Sequence, residues 1–296
     1  MQNIVTTQDS AKAIREILAS NRVKRCMLVC GRSFDSLKLY DELARVTEIC
    51  ERFSGFTPNP QYEDILDGVK QFRKAECDSI LAIGGGSAMD TAKCIKLFAK
   101  MPEGVDCLMQ QYEDTCIPLI AIPTTAGTGS ESTRFAVIYR DGVKQSIAHE
   151  SILPNHAILD AELLSGLPVY QKKCAMLDAL CQGIESFWSV NSTGESRRYS
   201  KAAIICLLEA MDSYVYHNDI AAAERVMQAS NLAGRAINIT QTTAPHAMSY
   251  KLTSLYGIPH GHAVALCLPK VWRHMLLNMH DCTDARGGEY LKSIFQ

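Results

Sequence analysis

The 296-residue sequence predicts an α/β unit built on a parallel sheet, followed by an all-α unit. Three observations carry this. Short apolar runs alternate with segments of helical period as far as Ile122. Two glycine-rich loops each follow an apolar run directly. Beyond Leu167-Pro168 every segment has a helical pattern and none has a strand pattern. The boundary therefore falls near Leu167, giving units 1–166 and 167–296.

The elements follow in order. Gln8 to Ser20 has the apolar period of a helix, and Arg25 to Cys30 (RCMLVC) is a buried strand. Ser33 to Val46 is expected as one helix, and Glu48 to Phe53 as a short strand. Pro58-Asn59-Pro60 makes a turn, and Tyr62 to Ala75 is an amphipathic helix. Ser79 to Ile83 (SILAI) and Pro118 to Ile122 (PLIAI) are apolar without alternation, as strands covered on both faces are. Ser87 to Lys100 lies between them as a helix. Phe135 to about Asp160 is extended. The second unit is expected to hold helices at Val169–Val190, Glu195–His217, Ala221–Asn238, Ala244–Tyr256 and Gly261–Leu277.

Composition narrows the function. With 30 basic and 32 acidic side chains the net charge is −2, so nothing points to nucleic acid or an anionic membrane surface. No apolar stretch is long enough to span a bilayer, and the first residues lack the basic-then-apolar pattern of a signal peptide. The twelve cysteines are scattered without a C-x-x-C pair, and many sit in apolar segments, as Cys26, Cys30, Cys94 and Cys206 do. Reduced thiols in a cytoplasmic protein are expected.

The first glycine loop is IGGGSAMDTAK, from Ile83 to Lys93. Its glycines let backbone N–H groups approach an anion, and the helix that follows adds its N-terminal dipole. The second, IPTTAGTGSES, offers the hydroxyls of Thr124, Thr125, Thr128 and Ser130. Either loop alone reads equally as a plain strand-to-helix turn. Two of them at the carboxyl ends of strands in one sheet point to a ligand.

His246 and His260 are fourteen residues apart, with Gly257 and Pro259 between them. The pattern is a helix carrying His246, a tight turn, and a second helix opening at His260. Two imidazoles can converge there on one divalent ion, with an oxygen from Asp178 as third ligand. The alternative is that both histidines cap and pack helix ends.

The motifs GGGSAMDTAK, PTTAGTGSE, ILPNHAILDAELLSGLP, DALCQGIES and HAMSYKLTSLYGIPHGHA, in this order, resemble the iron-containing (group III) alcohol dehydrogenase family. The resemblance covers almost the whole chain. It implies an N-terminal α/β dinucleotide-binding domain and an all-helical, metal-binding domain, a dehydroquinate synthase-like arrangement. By motif, Asp178, His246 and His260 are the metal ligands, for Fe2+ or Zn2+. Gly84, Gly85, Gly86, Ser87, Asp90, Thr124, Thr125, Thr128 and Ser130 line the coenzyme, and Lys144 matches a lysine near it. The implied reaction is hydride transfer between NAD(P)H and a small aldehyde or alcohol, in a homo-oligomer. Tyr250, His262 or water delivers the proton, the alternative for Tyr250 being an aromatic packed on its helix, while His262 and His274 are read as positioning or structural rather than as ligands.

Three departures stand out. The family's fourth ligand, a histidine four residues after the aspartate, is Gln182 here, and three protein ligands are expected to suffice. Tyr250 stands where a histidine is usual. The family continues for several more helices where this chain stops at Ile294-Phe295-Gln296, so the chain is expected to be either a fragment or a shortened variant.

Two finer readings complete the expectation. After the first strand comes Gly31-Arg32-Ser33, with no acid at the strand tip. Arg32 and Ser33 would suit the 2′-phosphate of NADPH, so NADP is favoured over NAD; the alternative is that Arg32 is a plain surface arginine. DALCQGIESFWSVNST resembles the phosphonoacetaldehyde reductase branch of the family, which implies a small polar or anionic aldehyde. Glu185, Trp188, Ser189 and Asn191 would sit at the pocket mouth, and Arg134, Lys144, Arg197 and Arg198 are the cations available to an anionic substrate. The rival readings are a dehydroquinate synthase-like lyase, a glycerol dehydrogenase-like enzyme, and a non-catalytic descendant acting as a binding protein.

Overall fold

The computed structural model describes residues 2–295. They divide into two compact units. One runs up to Thr124 and resumes over Ser130–Leu164; the other comprises Thr125–Gly129 and the chain from Ser165 onward. The divide at Leu164/Ser165 lies close to the boundary expected near Leu167. The excursion of Thr125–Gly129 into the helical unit was not foreseen.

The first unit begins with β1 (Asn3–Thr6), α1 (Ser10–Ser20), β2 (Cys26–Cys30), α2 (Leu39–Leu43), β3 (Ile49–Phe53), α3 (Tyr62–Lys74), β4 (Ser79–Gly84), α4 (Gly86–Phe98) and β5 (Leu119–Pro123). It continues with β6 (Phe135–Arg140), β7 (Val143–Ala148) and β8 (His156–Leu159). Six strands form one parallel sheet in the order β1-β8-β5-β4-β2-β3. The alternation of its side chains makes two cores. Met27, Val29, Ile80, Ala82, Leu119 and Ala121 face α3 and α4, whereas Leu28, Leu81, Ile83, Ile120 and Ile122 face α1 and α2. Burying one such side chain fully contributes about 1.5–3 kcal/mol. From β2 the chain moves to the edge strand β3 and then returns to the far side of β2 for β4. The order therefore reverses between β2 and β4, the point where open α/β sheets bind ligands at their carboxyl ends.

Three sequence expectations are corrected here. Ser33–Val46 is not one helix: a 3-10 turn over Arg32–Ser36 is followed by extended backbone at Leu37 and then α2. Phe34 and Leu39 are both buried, but five residues rotate them about 140° apart on a continuous helix, so the break at Leu37 brings both to the core. β1, too short to show a pattern, was missed; it pairs with β8. The extended stretch after Phe135 splits: β6 and β7 form a separate antiparallel hairpin, turned at Asp141 and Gly142, which both have positive φ, and only β8 joins the main sheet.

The second unit contains α5 (Val169–Trp188), α6 (Gly194–His217), α7 (Ile220–Thr240), α8 (Ala244–Tyr256), α9 (His260–Leu277) and α10 (Gly287–Phe295). α10 was not anticipated. Trp188 meets Trp272 edge-on, with centroids 5.7 Å apart, in a cluster with Cys181, Val264 and Leu268. Among the described residues no helix is long and apolar enough to cross a membrane.

Candidate metal centre and coenzyme loops

α5 carries Asp178, Gln182 and Glu185 at i, i+4 and i+7, one face of the helix, and all three are buried. α8 opens at Thr243 with Pro245 in its first turn, which puts His246 at the start of the helix. Gly257, at φ +66°, ends α8, and its N–H bonds back to Thr253 O. Pro259 precedes α9, whose first residue is His260. The helix, turn and second helix expected from the spacing are thus present.

Asp178, His246 and His260 each offer a ligand atom, and these atoms lie within 4.8 Å of one another. His246 Nε2 is 3.2 Å and His260 Nε2 3.8 Å from Asp178 Oδ1. Two ligand atoms about 2.1 Å from a tetrahedral ion stand about 3.4 Å apart, so the observed distances bracket a coordination sphere. Gln182 is 3 % exposed. Its Nε2 donates to Thr128 O at 3.2 Å, and its Oε1 is buried with no hydrogen-bond partner. A buried, unmatched acceptor one helical turn after Asp178 on the same face of α5 suits a divalent cation.

The electrostatics agree. Burial pushes the Asp178 carboxyl up, but His260, His246 and Gln182 together outweigh it, and its pKa lies below the ordinary value. Burial pushes the His246 imidazole down, yet hydrogen bonds to Asp178 and Glu185 prevail and raise it to about 9. Both carboxylates thus favour positive charge at this position.

Tyr250 joins this site: its ring stacks on His260 at 13°, with centroids 6.1 Å apart. His262 lies outside the ligand cluster, its Nδ1 2.9 Å from Tyr170 OH, and His274 is exposed and bonded to Asn278. Glu185, Trp188 and Ser189, expected at a pocket mouth, are instead buried; Glu185 is fully so and contacts His246. Trp188 is about 15 Å along α5 from Asp178. Beyond it, Asn191 is exposed and Arg197 bonds Tyr290 OH at 3.1 Å. Arg198 is exposed, and Arg134 pairs with Glu150 at 2.9 Å.

In the first unit, the two loops leave the carboxyl ends of neighbouring strands, and Thr124 N donates to Gly84 O at 3.0 Å. Gly84 has φ +153°, and a Cβ there would lie 2.7 Å from that of Ala88. Gly85 precedes α4 without a capping side chain, so the N-terminus of α4 offers its N–H groups to an anion. Ser87 Oγ accepts from Asn59 N at 3.3 Å. Gly31, Arg32 and Ser33 follow β2, with both side chains exposed. Asp35, in the same turn, pairs with Arg52 at 2.6 Å.

A network of hydrogen bonds joins the second loop to α4. Asp90 and Ser130 bond each other at 2.9 Å, and Asp90 Oδ2 accepts from Val137 N at 3.0 Å. Buried Lys93, which sequence reasoning passed over, donates to Ser130 Oγ at 2.9 Å, Thr133 Oγ1 at 3.1 Å and Phe135 O at 2.7 Å. Burial pushes Lys93 down to about 8 against the pull of Asp90 and Glu131. A Cβ on Gly127 would meet the Ala175 backbone at 2.8 Å, so this loop's glycines also serve close packing on α5. Lys144, half-buried on β7, is pushed down to about 8 by burial, with Asp90 opposing.

Comparison with known proteins matches this architecture. Residues 2–161 match the iron-containing alcohol dehydrogenase family, and residues 173–285 match the C-terminal domain of the Fe-containing alcohol dehydrogenase family. Phosphonoacetaldehyde reductase of Streptomyces viridochromogenes is 37 % identical over 238 residues, covering 76 % of this chain and 60 % of that protein. Alcohol dehydrogenase 4 of Schizosaccharomyces pombe is 32 % identical over 278 residues, covering 88 % of this chain and 64 % of the relative. The chain thus spans about three fifths of the length of such relatives. Sulfoacetaldehyde reductase from Bifidobacterium kashiwanohense, solved in complex with NAD+, superposes with a TM-score of 0.88 at 28 % identity, over 99 % of this chain and 79 % of that one. The ligand cluster, the glycine loops and these matches agree, and the chain belongs to the iron-containing alcohol dehydrogenase family.

Proposed function

We propose that the protein is a metal-dependent, NAD(P)H-linked reductase of small polar or anionic aldehydes. The observation that carries this is the convergence of Asp178, His246 and His260 in a chain of this family. These three residues would hold a divalent ion, which would supply Lewis acidity to the carbonyl oxygen. The α4 N-terminus and the Gly84–Gly86 backbone bind the coenzyme pyrophosphate. A reduced nicotinamide bound there would supply the hydride, and Tyr250, stacked beside His260, would donate the proton that completes the alcohol.

NADPH is the preferred coenzyme. Arg32 and Ser33 lie exposed at the tip of β2, and the negative charge of Asp35 is met by Arg52, so a 2′-phosphate finds net positive charge there. Two relatives are named for two-carbon aldehydes that carry a phosphonate or a sulfonate, which supports phosphonoacetaldehyde as the substrate. Arg134 pairs with Glu150 and Arg197 bonds Tyr290, while Arg198 is exposed near the start of α6 and is a candidate cation for the anionic group.

The test is kcat/KM for phosphonoacetaldehyde against propanal and butanal, followed at the nicotinamide absorbance band. A preference for the anionic aldehyde is expected. Equal efficiency with propanal replaces this reading with a general alcohol dehydrogenase. Turnover without net coenzyme consumption replaces it with a lyase, and absence of both metal and coenzyme binding indicates a non-catalytic descendant.

A further inference from the structure

Glu185 is a fully buried carboxylate in the helical unit. An ionised carboxylate out of water costs several kcal/mol unless donors surround it. Here they do. Oε2 accepts from Thr243 N and, at 2.9 Å, from Thr243 Oγ1, while Oε1 lies 2.6 Å from His246 Nδ1. Thr243 Oγ1 in turn accepts from Trp188 Nε1 at 2.8 Å. With the Thr243 hydroxyl and backbone N–H both directed at Oε2, Oε1 is left for the imidazole.

We infer that Glu185 is a positioning residue that fixes the tautomer and ring angle of His246, holding the proton on Nδ1 and the lone pair of Nε2 toward Asp178 and His260. The inference rests on the three-ligand reading of the metal site. An imidazole can bind an ion through either nitrogen, and a carboxylate that accepts from one of them decides which. The Thr243 bonds matter because they stop the carboxylate from turning: the residue that starts α8 anchors the acid that orients the histidine three positions later. His260 is supported differently, with its Nδ1 3.4 Å from Ser249 Oγ. Glu185 also brings a second negative charge beside Asp178, which together balance a divalent ion in a buried site.

The test is zinc affinity of the full chain, measured by chelator competition, for the parent protein, Glu185→Gln and Glu195→Gln. In Glu185→Gln, the amide NH2 must face either Thr243 N–H or His246 Nδ1. The first leaves two donors opposed, and the second moves the imidazole proton to Nε2, where it blocks the metal. Zinc affinity should fall about 10- to 100-fold, and the visible spectrum of the cobalt form should change. Glu195→Gln, on the exposed start of α6, should match the parent. Equal zinc affinity in Glu185→Gln and the parent overturns the role of Glu185. A parent that binds no zinc overturns the metal site itself. Should Glu185→Gln fail to fold, imidazole nitrogen NMR of the zinc-loaded parent decides: a proton on Nδ1 of His246 supports the inference, and one on Nε2 refutes it.

Discussion

Gly261 lies between His260 and His262 at the opening of α9, against the backbone of α5. A Cβ added there would collide with the carbonyl oxygen of Cys174 and lie 2.9 Å from Asp178 Cβ. The obstacle is helix backbone, which cannot swing aside as a side chain would. Gly261→Ala must therefore drive the start of α9 away from α5, by about 1 Å or more in a core packed to crystal density. His260 moves with it. His260 Nε2 is already 3.8 Å from Asp178 Oδ1, just beyond the roughly 3.4 Å of two ligands on one tetrahedral ion, so the shift takes it out of reach. The strain costs about 1–3 kcal/mol, or several degrees in the melting temperature of the metal-free protein. Zinc affinity should drop at least tenfold, because one of three ligands is displaced. Thermal melting of the apo protein and chelator competition measure the two effects separately. Gly194→Ala is the control, since nothing lies within 4 Å of the added atom. Unchanged zinc affinity and melting temperature in Gly261→Ala would refute the claim that close approach of α9 and α5 assembles the site.

Other consequences follow from the same geometry. His246→Ala and His260→Ala should each abolish metal binding and nearly all activity, whereas Gln182→Ala, losing an amide ligand at most, should retain much of both; complete metal loss in Gln182→Ala would make Gln182 an essential fourth ligand. Arg32→Ala should weaken NADPH binding more than NADH binding in a nicotinamide fluorescence titration, and parity between the two coenzymes in the parent protein removes the 2′-phosphate assignment. Lys144 is half-buried and its pKa is lowered to about 8, by burial against the pull of Asp90, so it is charged below that pH and neutral above it. If it meets a coenzyme phosphate, affinity is at full strength below pH 8 and declines as pH rises beyond it; Lys144→Met should flatten that profile, and an unaltered profile places Lys144 away from the phosphates.

The sequence by itself marked the alternation of strands and helices, a boundary near Leu167 and the three side chains, Asp178, His246 and His260, that converge in the helical unit. These are local properties: a buried parallel strand such as SILAI shows as an unbroken apolar run, and Gly257 and Pro259 end and begin helices through their own backbone preferences. Ligand chemistry is equally local, since an imidazole or a carboxylate donates its electrons wherever it is placed. Tertiary structure alone decided which polar groups meet. Glu185 looked like a pocket-mouth residue because its partner His246 is 61 positions away, and nothing in either segment marks the pair. Asp90 and Ser130 are joined to each other and, through Ser130, to Lys93, 37 positions from it, a network that no local pattern shows. The glycines of Thr125–Gly129 read as an anion loop, while the close approach of Gly127 to α5 shows only once the helices are in place. A buried hydrogen bond depends on a separation of about 3 Å between groups far apart in the chain, and periodicity along the chain carries no record of that separation.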